Sequence, residues 1–252
     1  MNHLKITRFP ELDYRWAEAM NTLCTNLSYS GKDMKTILIT SRYEDEGKSM
    51  ISMNLMRSLA GLRKKVVLLD ADLRRSCLTR THRMKFESVR INGLAQYLAG
   101  LCPIDDILYE TDIPNAYIVP VGRTVASPLN LLNAEEMPIL MQKLRDEFDY
   151  IIVDTPPAGI VVDAVDIAKH CDGALIVVSY MRGKCHDIVE VRDMILKTGC
   201  QVLGTVMNNV EFNSLSNKHY YYSSGQYASH YDYRKRYEEE EQPPKKKRWL
   251  RK

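Results

Sequence analysis

The chain has 252 residues, 45% of them hydrophobic, with 35 basic residues against 32 acidic ones and a net charge of +3. That length accommodates one α/β domain with a tail left over, and the near balance of charge excludes a strongly basic, nucleic-acid-binding surface. Six scattered cysteines (Cys24, Cys77, Cys102, Cys171, Cys185, Cys200) form no C-x-x-C pair, nothing resembles a secretory leader, and no apolar run approaches eighteen residues. Reduced thiols in a soluble, cytoplasmic chain are the expectation.

Residues 1–34 are expected to precede the first strand as an N-terminal helical segment, with Trp16, Met20, Leu23 and Leu27 on one stripe. Thr36 to Thr40 is an apolar, β-rich run. A charged loop follows it and ends in Gly47-Lys48-Ser49, and a helical pattern carrying Ile51, Leu55, Leu59 and Leu62 comes next. Strand, loop with G-K-S, and helix is the context of a phosphate-binding loop. Gly47 lets the backbone approach a phosphate, and the amides that open the helix point at the anion. Lys48 supplies a point charge to the β- and γ-phosphates and Ser49 a hydroxyl to Mg²⁺. The full pattern G-x-x-x-x-G-K-[ST] has a glycine where this chain has Arg42. On this stretch alone, a β-to-α turn with an exposed lysine is an equal reading.

Lys65 to Asp70 reads as a buried parallel strand and leads into Asp70-Ala71-Asp72-Leu73-Arg74-Arg75. In open parallel sheets, ligand groups gather at the carboxyl ends of the strands, where these acids fall. Residues 76–114 are less regular, mostly loop and turn, with a short helix over 93–98. Ala116 to Val121 is a predicted strand. Ser127-Pro128 opens a long helical pattern to about Phe148, with serine as cap and proline in the first turn. Tyr150 to Asp154 is an apolar strand ended by an aspartate and two prolines, and an acid so placed can hold Mg²⁺ through water. Two further strands, 174–179 and 202–208, flank a helix over 187–198. This alternation predicts an α/β fold with a doubly wound, mainly parallel sheet.

The composition changes at Phe212. No Val, Ile, Leu or Met occurs between Leu215 and Leu250, and seven of the fifteen tyrosines cluster there: Tyr220, Tyr221, Tyr222, Tyr227, Tyr231, Tyr233 and Tyr237. Without aliphatic partners this segment cannot form core, so 213–252 is expected to be a disordered tail behind a domain spanning 35–212. The tail ends in a polybasic stretch, Lys245 to Lys252, which carries six cations and a Trp-Leu pair. A solvated tail and a weak anchor to an anionic membrane surface both account for that stretch.

Phosphate loop, D-x-D-x-R, h-h-h-D-x-P-P and tyrosine cluster, in that order, resemble the bacterial tyrosine kinases. These are similar to the ParA/MinD-type P-loop ATPases, and the cytoplasmic kinase subunits of capsule and exopolysaccharide systems are the nearest resemblance. Their Walker A, A′ and B motifs correspond to Ser41–Ser49, Leu68–Arg74 and Ile151–Pro156. The resemblance implies ATP and Mg²⁺ as cofactors. It implies that Gly47, Lys48, Ser49 and Met50 hold the nucleotide and that Asn208 faces the adenine. Ser49, Asp72 and Asp154 organise the metal, while Asp70, Asp72, Lys48 and Arg74 act in phosphoryl transfer onto the tyrosine tail. It also implies a separate transmembrane activator of the polysaccharide co-polymerase type, and self-association for phosphorylation in trans.

Two departures from the family pattern stand out. Glu44-Asp45-Glu46 replaces the usual Pro-Gly-Glu, which brings two extra carboxylates toward a triphosphate. Glu18, Asn21 and Cys24 fall on the family's oligomerisation motif E-x-x-R-x-x-R, whose arginines are both absent. The acidic loop favours the alternative of a nucleotide-dependent switch or adaptor ATPase without kinase activity. The tyrosine cluster favours an autophosphorylating tyrosine kinase.

Overall fold

The computed structural model describes residues 2–9, 14–88, 91–123, 128–180 and 182–210. The first half of the chain runs β1 (Asn2–Ile6), α1 (Tyr14–Tyr29), β2 (Thr36–Ser41), α2 (Lys48–Gly61), β3 (Val66–Asp70), α3 (Leu78–Thr81), β4 (Met84–Phe86) and α4 (Leu94–Leu98). The second half runs β5 (Tyr109–Thr111), β6 (Ala116–Val119), α5 (Pro128–Leu132), α6 (Glu136–Glu147), β7 (Tyr150–Asp154), α7 (Asp163–Ala168), β8 (Gly173–Ser179), α8 (Cys185–Leu196) and β9 (Gln201–Asn208). Nine strands form one sheet in the order β4-β1-β5-β6-β3-β7-β2-β8-β9. From β6 to β9 every neighbouring pair is parallel. The β5–β6 and β1–β4 pairs are antiparallel, and β1–β5 is parallel.

Apolar side chains alternate between the two faces of the central strands. Ile37, Ile39 and Leu68 join a core with α1 and α2, including Met20, Leu27, Ile51 and Leu55. Leu38, Val67 and Leu69 join another on the opposite face with α6, α7 and α8, including Leu140, Ile167 and Val191. The central strands are buried on both sides, which is why they read in the sequence as unbroken apolar runs. The chain leaves β2 toward β3 along one face and leaves β7 and β8 along the other. The carboxyl ends of β2, β7 and β8 therefore meet at the reversal, the place where open α/β sheets bind ligands.

Three expectations need correction. Residues 1–34 do not all precede the sheet, because β1 lies between β4 and β5 and buries Leu4 and Ile6. Residues 76–114 are mostly loop and turn, but the expectation of a single short helix there is incomplete, since they hold β4, β5 and α3 besides α4. The long helix to Phe148 is two helices, α5 and α6. Pro138 explains the break: it cannot donate to the Ala134 carbonyl, and its ring crowds that carbonyl, so the helix restarts with Pro138 in its first turn. Ser127, expected as the cap of that helix, and the tyrosine cluster lie outside the described residues.

Candidate active site

The phosphate loop is built by its own acids. Gly47 adopts φ 92° and ψ 20°, and α2 begins at the next residue, Lys48. The first backbone bond closing the helix runs from Ile51 N–H to the Gly47 carbonyl at 3.0 Å. The amides of Lys48, Ser49 and Met50 precede that ladder, as the opening amides of any helix do, and can turn to an anion. A Cβ on Gly47 would lie 1.9 Å from Asn208 Nδ2, so only glycine allows β9 to approach this closely. Asn208 Nδ2 donates to the Glu46 carbonyl at 2.9 Å, which ties the end of β9 to the loop.

The three loop acids divide their work. Glu46 is buried, and its carboxylate accepts from the amides of Arg42 (3.0 Å), Tyr43 (2.9 Å) and Ser179 (3.2 Å). Its charge is spent on folding the loop. Glu44 pairs with Arg75 at 3.2 Å, an exposed bond between the phosphate loop and the turn after β3. Asp45 is exposed and adopts φ 58°, the left-handed conformation for which the family pattern uses glycine. Aspartate tolerates that region better than most residues, which is how the loop keeps its shape without the glycine.

The strand-end acids converge. In the β3–β7 ladder, Asp70 stands directly opposite Asp154. Both are buried. Burial, and then repulsion from Asp154, hold the Asp70 carboxyl well above the ordinary carboxylate range, while a short hydrogen bond donated by the Ser76 hydroxyl opposes the shift. Burial pushes the Asp154 carboxyl up to about 6, against hydrogen bonds from Ser49 and Ser52 and the charge of Lys48. Ser52 Oγ lies 3.0 Å from Asp154 Oδ1 and 3.0 Å from the Lys48 carbonyl. Asp72 caps its own turn, accepting from the Arg75 amide at 2.9 Å.

The structure thus gathers Lys48, Ser49, Asp70, Asp72 and Asp154 at one edge of the sheet, with Asn208 against the loop. Met50 is partly exposed beside them. Arg74 is held sideways: its Nε and Nη2 bind the buried Asp163 at 2.7 and 2.8 Å, a bidentate pair that raises the already high pKa of the guanidinium. That pair pins the turn after β3 to the start of α7. Sequence reasoning missed the roles of Glu46, Ser52, Ser76 and Asp163 at the site. Ser52, one helical turn beyond Lys48, had a spacing signal; the others depend on partners brought by the fold.

Asp72, Asp154 and the Ser49 hydroxyl make an all-oxygen donor set, which suits a hard divalent cation. Such an ion would also offset the charge of the two buried carboxylates, whose ionised form burial disfavours. The arrangement can therefore bind a phosphate chain at α2, neutralise it with Lys48 and a cation, and accept a proton at Asp70.

The family model described as AAA domain matches residues 34–183. Tyrosine-protein kinase CpsD of Streptococcus agalactiae serotype III (strain NEM316) is 38% identical over 193 residues, 77% of this chain and 82% of that protein. Among solved structures, the kinase domain of Escherichia coli tyrosine kinase ETK superposes with a TM-score of 0.73 at 24% identity, covering 79% of this chain and 77% of that one. The septum site-determining protein MinD from Pyrococcus horikoshii OT3, solved with Mg-ADP, gives a TM-score of 0.59 at 24% identity, with 69% of each chain covered. At those identities the two structures speak to the fold.

Proposed function

We propose, on the premise that this chain belongs to the bacterial tyrosine-protein kinases of the AAA-domain family, a division of labour among its site residues in ATP-dependent phosphorylation of its own tyrosine tail. The amides of Gly47, Lys48, Ser49 and Met50 and the Lys48 ammonium bind the phosphates of ATP, with Asn208 toward the adenine. Ser49, Asp72 and Asp154 hold Mg²⁺, which supplies charge neutralisation of the phosphates. Asp70 accepts the proton of an incoming tyrosine hydroxyl as its oxygen takes the γ-phosphoryl group, and ADP leaves. Arg74 positions the Asp70–Arg75 turn through Asp163. Catalysis by placement and charge is what phosphoryl transfer requires.

The observation that carries this reading is the pairing of Asp70 with Asp154 across adjacent strands. One acid is fixed beside the proposed metal ligand Asp154, and burial with the charge of Asp154 holds its carboxyl above the ordinary carboxylate range, which makes it the better proton acceptor of the two. Of the two extra carboxylates in the loop, Glu44 pairs with Arg75 and Asp45 stays exposed, so the acidic loop keeps the switch ATPase as the alternative that the next experiment decides. Incubating the purified protein with Mg-ATP beside a Lys48→Met control tests the function. Phosphotyrosine in the first sample and none in the second is expected. Signal in both would expose a contaminating kinase, and silence in both with ATP still bound would return the chain to the switch class.

The proposed acceptors are Tyr220, Tyr221, Tyr222, Tyr227, Tyr231, Tyr233 and Tyr237, modified in trans between subunits, in a system for capsular or exopolysaccharide synthesis. Among the described residues no helix is long and apolar enough to cross a membrane. A separate transmembrane activator of the polysaccharide co-polymerase type, implied by the family resemblance, completes the proposal, with the polybasic end at the anionic inner leaflet.

A further inference from the structure

Arg42 stands where the common phosphate-loop pattern has its first glycine, and its side chain reaches out of the loop in two directions. Nη1 donates to the Gly159 carbonyl at 2.8 Å. Nη2 pairs with Glu190 on α8 at 3.0 Å, and Nε is buried with Asp187 Oδ1 at 3.9 Å, beyond hydrogen-bond range. The loop after β7 has been stitched to β2 along the way: Thr155 Oγ1 donates to the Ile39 carbonyl at 2.9 Å, and Thr40 Oγ1 to the Pro156 carbonyl at 3.1 Å. Arg42 is the last and longest stitch. A Cβ on Gly159 would lie 2.4 Å from the Arg42 side chain and backbone, so the two segments are in close contact. The backbone amide of Arg42, meanwhile, is held by Glu46 inside the loop.

We propose that Arg42 is a positioning residue: it clamps the phosphate loop to the Gly159 turn and to Asp187 and Glu190 of α8, and the intact clamp sets nucleotide affinity. This rests on the proposed nucleotide site but not on tyrosine as acceptor. A guanidinium fork is required, because two nitrogens act at once on a carbonyl and a carboxylate, which an ammonium cannot span. The loop is thereby pre-organised before nucleotide arrives, and loss of the clamp appears as weaker binding.

The test is the Kd of a fluorescent Mg-ADP analogue, measured with the full chain well below its melting temperature. Arg42→Ala should weaken binding by about tenfold, the scale of one charge-assisted hydrogen bond, and Arg42→Lys should recover only part of it. Glu190→Gln should weaken it by a smaller factor and add nothing in the Arg42→Ala background, since the cycle isolates their contact. A purely structural role would lower the melting temperature of the nucleotide-free chain while leaving Kd unchanged, and would overturn the proposal. If Arg42→Ala fails to fold, Asp187→Asn combined with Glu190→Gln loosens the clamp from its solvent side, and unchanged affinity there would equally overturn it. Wild-type binding of Mg-ADP without phosphotyrosine would sink the kinase reading and leave this one standing.

Discussion

At the scale of single residues, the site is a set of acids held where acids do not want to be. Asp154 is buried beside Asp70 and shifted up to about 6. A carboxyl whose folded-state pKa is raised binds its proton more tightly in the folded chain. Its contribution to stability is then fullest below the unfolded value near 3.8 and is lost as pH rises through about 6. Asp154→Asn should therefore stabilise the nucleotide-free protein at pH 7.5, on the order of 2 kcal/mol, and flatten the dependence of Tm on pH between about 4 and 6. The same variant should need more Mg²⁺ to bind nucleotide. Melting curves across pH and Mg²⁺ titrations check both; a less stable Asp154→Asn protein at pH 7.5 would contradict this electrostatic reading.

At the scale of elements, legibility followed burial and length. Strands β2, β3, β6, β7 and β8 announced themselves because the sheet centre needs unbroken apolar runs, and three of the site acids lie at or just beyond the ends of β3 and β7. Strands β1, β4 and β5 did not: each is three to five residues long and shares its residues between core and solvent. No periodicity emerges from so few positions. The ion pairs that set the site, Arg74 with Asp163 and Arg42 with Glu190, join residues far apart in the chain and have no local signature. β1 nevertheless carries weight. Leu4 is 3% exposed, so Leu4→Ala should destabilise the fold by about 2–5 kcal/mol. It should leave the Kd for Mg-ADP unchanged below the melting temperature, because four strands separate β1 from β2. A changed Kd at that temperature would mean that the sheet transmits strain further than its layered packing suggests.

At the scale of the whole molecule, the catalytic edge and the acceptor segment belong to one chain, and proposed transfer between subunits joins them. Each phosphotyrosine adds about −1.5 to −2 charges at neutral pH. Progressive modification should therefore drive tails apart and reduce self-association. Mixing a full-length Lys48→Met chain with an active chain truncated at residue 215 isolates the first step, and phosphotyrosine on the inactive chain is expected. Sizing before and after ATP treatment follows the second; an unchanged particle mass after heavy modification would remove it.

The most direct measurement of the central claim concerns Asp70. Phosphotyrosine formation and Mg-ADP affinity should be measured on the same preparation of Asp70→Asn and compared with wild type. The carboxamide keeps the shape and burial of the acid but cannot accept the tyrosine proton. The account predicts near-complete loss of tail phosphorylation with nucleotide affinity largely retained. An Asp70→Asn protein that phosphorylates its tail at the wild-type rate would contradict it.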